Sequence, residues 1–284
     1  MGVFEFENFA NGTLAVAKPV YTVIKDGKKT DTAVSDIDFN NSYDASAKEG
    51  VILSGNKALT DKVLTDGAFK FELYNATVKA NGTVELEGKP VETVTNKDGK
   101  FTFSELRYTS IKAAKLHYYV IKEVIPENAD KNNTYKGVTY DATTYLISVN
   151  VTDNGDGTLT ATAAYDPEAT FTNSYAAEGS VVLEAEKVLT GRDLSEGEFS
   201  FELKDAEGNV IETVKNAADG SITFTEITYT EAGEYKYTLS EVKGNLGGVT
   251  YDAKVIEVTV TVTDNGDGTL TATAEYAPEA TFTN

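Results

Sequence analysis

The chain has 284 residues and a formal net charge of −20, with 16 Tyr, 13 Phe, one His, and neither Cys nor Trp. The missing cysteines exclude disulfide frameworks, thiolate metal sites and cysteine nucleophiles, and a single histidine leaves little basis for imidazole metal sites or acid–base catalysis. The acidic field disfavours nucleic acid and anionic membrane as partners, no apolar run approaches the roughly 20 residues of a bilayer span, and the aromatic content is too high for an acidic disordered chain.

In chain order, residues 1–43 read as the closing strands of a repeat whose beginning is absent. FEFENFANGTL (4–14) is a degraded form of a hairpin that recurs later, and FNNSY (39–43) matches FTNSY (171–175). A full repeat is expected over 44–175 and a second over 176–284. VILSGNKALT (51–60) answers VVLEAEKVLT (181–190), FKFEL (69–73) answers FSFEL (199–203), and YVIKEV (119–124) answers YTLSEV (237–242). From Val138–Asn173 to Val249–Asn284 the two copies align without a gap, each opening on VTYDA and closing on PEATFTN. The first copy is longer by insertions near 75–88 and 126–134, which are expected to be loops.

Within each copy the hydrophobic period is two. YLISVNV (145–151) and VIEVTVTV (255–262) are rich in β-branched residues, and NG, DG and GG pairs punctuate such runs. About seven short strands per copy predict an all-β fold: tandem immunoglobulin-like β-sandwich domains arranged end to end through short seams. DNGDGT (153–158) reads as a hairpin turn, since Asp153 and Asp156 lack the alternating spacing of a calcium loop; no metal or other cofactor is expected. His117, in phase with Tyr119 and Ile121, reads as a structural histidine.

Three polar residues per copy fall on faces that otherwise carry apolar side chains. Lys57 is in phase with Val51, Leu53 and Leu59, and Lys187 with Val181, Leu183 and Leu189. Glu123 follows Tyr119 and Ile121, as Glu241 follows Tyr237 and Leu239. Asn173 is in phase with Phe171, and Asn284 with Phe282. These residues alone leave two readings open. One is a buried ion pair with a hydrogen-bonded Asn, which costs several kcal/mol of desolvation per ion. In the other, burial favours a neutral amine and a neutral acid, the amine attacks the Asn carboxamide, and ammonia leaves behind a Lys–Asn isopeptide bond.

KxLTxxxLxxGxFxFEL, then YxxxEV, GVTYDA, DNGDGTLTA and a terminal FTN, resembles the pilin isopeptide-linkage domains of streptococcal type, relatives of the B-type domains of Gram-positive collagen adhesins. The resemblance covers nearly all of 50–284. It implies a stalk or pilus-shaft segment of a cell-wall-anchored, extracellular surface protein and not an enzyme acting on external substrates. It further implies autocatalytic cross-links Lys57–Asn173 and Lys187–Asn284, assisted by Glu123 and Glu241. The partners implied are other domains or subunits of the same fibre. The competing expectation is an adhesin module that binds a host protein or glycan through the insertions of the first repeat. No LPxTG anchor signal or YPK motif occurs in the chain. Asn41 aligns with the bonding asparagines, yet its lysine and glutamate strands would lie upstream of Met1.

Overall fold

The computed structural model describes residues 6–8, 14–16, 21–34 and 40–284. Among those before residue 40, Phe6–Asn8 pairs with Leu14–Val16, and Tyr21–Lys25 with Lys28–Val34, both antiparallel. The expectation that 1–43 completes a preceding repeat falls largely outside the described residues. Asn41 is described and exposed.

The chain is all-β, with two tandem sandwiches. In the first, a six-stranded sheet runs in the order Ser46–Ala47, Thr158–Tyr165, Thr144–Asp153, Leu116–Glu123, Lys70–Val78, Val84–Thr95. It faces a five-stranded sheet ordered Thr134–Tyr135, Val138–Thr139, Thr170–Tyr175, Ser54–Thr60, Lys100–Thr102. The core between them draws Phe71, Ile121 and Val149 from one sheet and Phe101 and Phe171 from the other, with Phe71 and Phe101 stacked at 4.0 Å.

The second sandwich repeats the plan. Val210–Lys215, Ser200–Lys204, Gly233–Glu241, Val255–Asp264 and Leu270–Ala277 form one sheet, and Ser221–Thr223, Glu184–Val188 and Thr281–Thr283 the other. Along Val255–Asp264, Ile256, Val258, Val260 and Val262 are all buried, as a period of two requires for a strand covered on one face. Some antiparallel neighbours, such as Thr144–Asp153 and Thr158–Tyr165, are joined by hairpins, whereas the lysine-bearing strand near the start of each sandwich lies side by side and parallel with its last strand. That closure brings the ends of each repeat together.

One expectation needs correction. The insertion at 75–88 is not a loop, because Lys70–Val78 and Val84–Thr95 continue through it as a paired hairpin closed by a turn at Gly82. The NG pair at 81–82 supplies the positive φ for that turn, and the flanking residues simply prolong the two strands. The 126–134 insertion is mainly turns, with the Asp130 carboxylate accepting from the N–H groups of Asn132 and Thr134.

The two DNGDG turns are hairpins with an added contact. The Tyr175 hydroxyl donates to Asp264 Oδ1 at 2.6 Å and accepts from the Gly268 N–H, while Lys62 pairs with Asp264 and lies over the Tyr175 ring. Tyr43 makes the same pair of bonds to Asp153 and Gly157. At the seam between the sandwiches, Gly137 and Gly268 approach so closely that a Cβ on Gly137 would lie 2.6 Å from Gly268 Cα. Both adopt positive φ, so glycine is required there for space and for conformation.

Candidate isopeptide sites

Lys57 lies opposite Phe171 and Asn173 opposite Leu59 in the parallel pair, so Lys57 and Asn173 emerge on the same inner face, two residues apart in register. Glu123 ends the Leu116–Glu123 strand of the facing sheet and reaches across the core. Lys57 Nζ and Asn173 Nδ2 each lie 2.9 Å from the same atom, Glu123 Oε1.

The second sandwich reproduces this. Lys187 lies opposite Phe282, and the backbone N–H of Asn284 donates to Val188 O. Lys187 Nζ and Asn284 Nδ2 are again each 2.9 Å from one oxygen, Glu241 Oε1. All six residues singled out by phase are therefore brought together, three by three. Asn284 is half-buried; the other five are 0–9% exposed.

The surroundings are apolar. Lys57 Nζ sits 4.4 Å from the centroid of the Phe69 ring and Lys187 Nζ 4.7 Å from that of Phe199. Desolvation pulls the Lys57 and Lys187 ammonium groups below the ordinary lysine range, against the opposing pull of the glutamates. Desolvation likewise pushes the Glu123 carboxyl above its ordinary range, against Lys57 and Asn173. Each lysine nitrogen is close to a carboxylate oxygen, yet neither is aligned for a hydrogen bond, and Glu123 Oε2 has no partner.

A fourth participant escaped the phase argument. The backbone N–H of Asp141 donates to Asn173 Oδ1 at 2.9 Å, and that of Asp252 to Asn284 Oδ1 at 2.8 Å. A backbone N–H can only donate, so these bonds fix which carboxamide atom is oxygen and direct Nδ2 toward the glutamate. The Asp252 N–H is shared with Glu241 Oε2, also at 2.8 Å. The signal was present in the sequence as the twice-repeated VTYDA, but the contact is made by main chain in a loop, where strand phase says nothing.

The remaining candidates are structural. His117 Nε2 lies 2.8 Å from Ala113 O, with its ring against Tyr108. Asp153 and Asp156 accept from the N–H groups of Gly155 and Thr158, which close their own turn. Among the described residues, no helix is long and apolar enough to cross a membrane.

Comparison with curated proteins yields no match. Among solved structures, the chain is similar to a major pilin (T3.2) of Streptococcus pyogenes at 16% identity, covering 83% of this chain and 96% of that one with a TM-score of 0.30. It is also similar to the shaft pilin SpaA of Lactobacillus rhamnosus GG (D295N mutant) at 13% identity, covering 82% and 97% with a TM-score of 0.26. Scores of this size carry no argument, and the assignment rests on the family match. That match covers residues 53–176 and again 183–284, the two stretches that hold the two triads. The chain belongs to the FctA family of Spy0128-like isopeptide-containing domains.

Proposed function

We propose that this chain is a load-bearing segment of a Gram-positive surface fibre, stiffened by two self-formed bonds, Lys57–Asn173 and Lys187–Asn284. The observation that carries the proposal is the convergence, twice, of a buried lysine and a buried or half-buried asparagine on one glutamate oxygen. Membership of the isopeptide-containing family supports the mechanical reading, and with it a location on the cell wall or pilus with other subunits as partners.

The chemistry follows from the geometry. Proton transfer from Lys57 Nζ to Glu123 gives a neutral amine and a neutral acid, a change that the apolar surroundings favour. The amine lone pair attacks Asn173 Cγ, and negative charge moves onto Oδ1. Glu123 delivers a proton to Nδ2 and recovers one from Nζ. The Cγ–Nδ2 bond breaks, ammonia departs, and the Nζ–Cγ amide remains. Atoms balance with no external reactant, and each site turns over once. Lys187, Glu241 and Asn284 take the same roles.

The bond would tie the first strand to the last, so that tension entering one and leaving by the other bypasses the rest of the sandwich. The high negative charge suits a fibre surface that must not self-associate at random. Intact mass tests the proposal: the folded protein should weigh two ammonia less than its sequence, and a digest should yield one branched peptide per repeat. A folded protein of full sequence mass would refute it.

A further inference from the structure

Asp141 and Asp252 do more at these sites than chain connection requires. The Val138–Thr139 strand pairs with Tyr175 and Ser174 of the closing strand and then stops. The next inward N–H, that of Thr172, is taken instead by Asp141 Oδ2 at 3.0 Å, while Asp141 Oδ1 accepts from Thr143 N–H at 2.9 Å. In the second sandwich Asp252 Oδ2 accepts from Thr283 N–H at 3.0 Å and Oδ1 from Lys254 N–H at 2.8 Å. Thr172 and Thr283 directly precede Asn173 and Asn284. Each aspartate therefore grips the strand one residue before the reacting asparagine and presents its own N–H to that asparagine's oxygen.

Resting on the cross-linking reading above, we propose that Asp141 and Asp252 assist bond formation in two ways. The backbone N–H stabilises the negative charge that develops on the asparagine Oδ1, and the carboxylate is a positioning group that holds the asparagine strand in register with the amine. The N–H already points at the atom that becomes the oxyanion, so no donor needs to reorient as the charge appears. The carboxylate is suited to its task. Burial raises its proton affinity, but the hydrogen bonds from Thr143 and Thr172, or from Thr283 and Lys254, more than offset this and keep it ionised. An ionised carboxylate has acceptor capacity on both oxygens, and here both are used.

The full chain contains its own control, because a change at one site leaves the other intact. Timed acid quenching of cell-free translation, with peptide mass spectrometry scoring each bond, gives two rates per sample. Replacing the amide between Tyr140 and Asp141 by an ester deletes that N–H and keeps the side chain. It should slow the Lys57–Asn173 bond by about 10²-fold, the usual cost of one oxyanion donor, with the Lys187–Asn284 rate unchanged. Asp141→Ala should slow the first bond at least roughly tenfold, and Asp141→Asn, which keeps one acceptor oxygen, should recover part of that loss. First-bond rates at the wild-type level in both the ester and the Ala variants would overturn the proposal. So would a loss that tracks protease sensitivity of the first sandwich and is not relieved by Asn. Absence of both bonds in the wild-type chain would instead refute the cross-linking reading itself.

Discussion

Replacing Glu123 by Ala separates the chemistry of the first site from the architecture around it. Lys57 Nζ and Asn173 Nδ2 both lie 2.9 Å from Glu123, which has no place in the amide product. The variant should fold, keep the Lys187–Asn284 bond, and weigh exactly one ammonia more than the wild type. A cross-link restricts the unfolded chain by its loop-closure entropy, which for the roughly 115 residues from Lys57 to Asn173 amounts to about 5 kcal/mol. At about 4 °C per kcal/mol for a domain of this size, the first sandwich should melt about 20 °C lower. Part of any loss could come from leaving Lys57 alone among Phe69 and its neighbours. The Lys57→Met, Glu123→Ala double variant removes that contribution, since it abolishes the bond without burying an amine. Agreement between the two variants assigns the loss to the missing cross-link. Calorimetry follows the melting of wild type and variants, and intact mass reports the bonds. A Glu123→Ala protein with wild-type mass would refute the assigned role, and a one-ammonia gain with unchanged melting would refute the mechanical one.

Other outcomes follow from the same structure. The neutral pair Lys57–Glu123 and the ion pair hold the same number of protons, so their ratio does not vary with pH; the rate of bond formation should plateau and fall on both sides. It falls in acid once both groups are protonated and in base once both are deprotonated, with apparent pKa values that belong to the pair. Timed quenches at several pH values check this, and a rate that rises monotonically with pH would contradict it. Asp264 is held below the ordinary carboxylate range, first by the Tyr175 hydroxyl and then by the Gly266 N–H. Its contribution to the seam is present above the ordinary Asp value of about 4 and is lost as pH falls through the depressed one. Scattering at pH 7 and at low pH should therefore show the two sandwiches loosening in acid, and Asp264→Ala should loosen them at neutral pH. Gly268→Ala should disturb the same seam with both bonds intact, as its added Cβ would meet Gly137 N at 2.6 Å. Tandem mass spectrometry should find the peptide bearing Asn41 unlinked, in keeping with that residue's exposed position.

Two facts about this protein were legible from the sequence. Direct repetition showed that the chain holds two copies of one unit, and a period of two in Val255–Asp264 and its counterpart showed that the units are strands. The same period placed Lys57, Glu123 and Asn173 on inward faces, because successive side chains in a strand must alternate and the neighbours on those faces are Leu53, Ile121 and Phe171. Phase says which way a side chain points, however, and not what it meets. That Lys57 and Asn173 share one oxygen of Glu123 depended on the parallel pairing of two strands and on the facing of two sheets, contacts made across fifty or more residues of chain. The contributions of Asp141 and Asp252 are made by main chain in loops, where no side-chain pattern reports the conformation. The tyrosine contacts of the DNGDG turns likewise come from a neighbouring segment that the turn sequence does not encode. Local alternation set each side chain's direction; the stacking of sheets and the paths of loops decided which groups met and so what chemistry was possible.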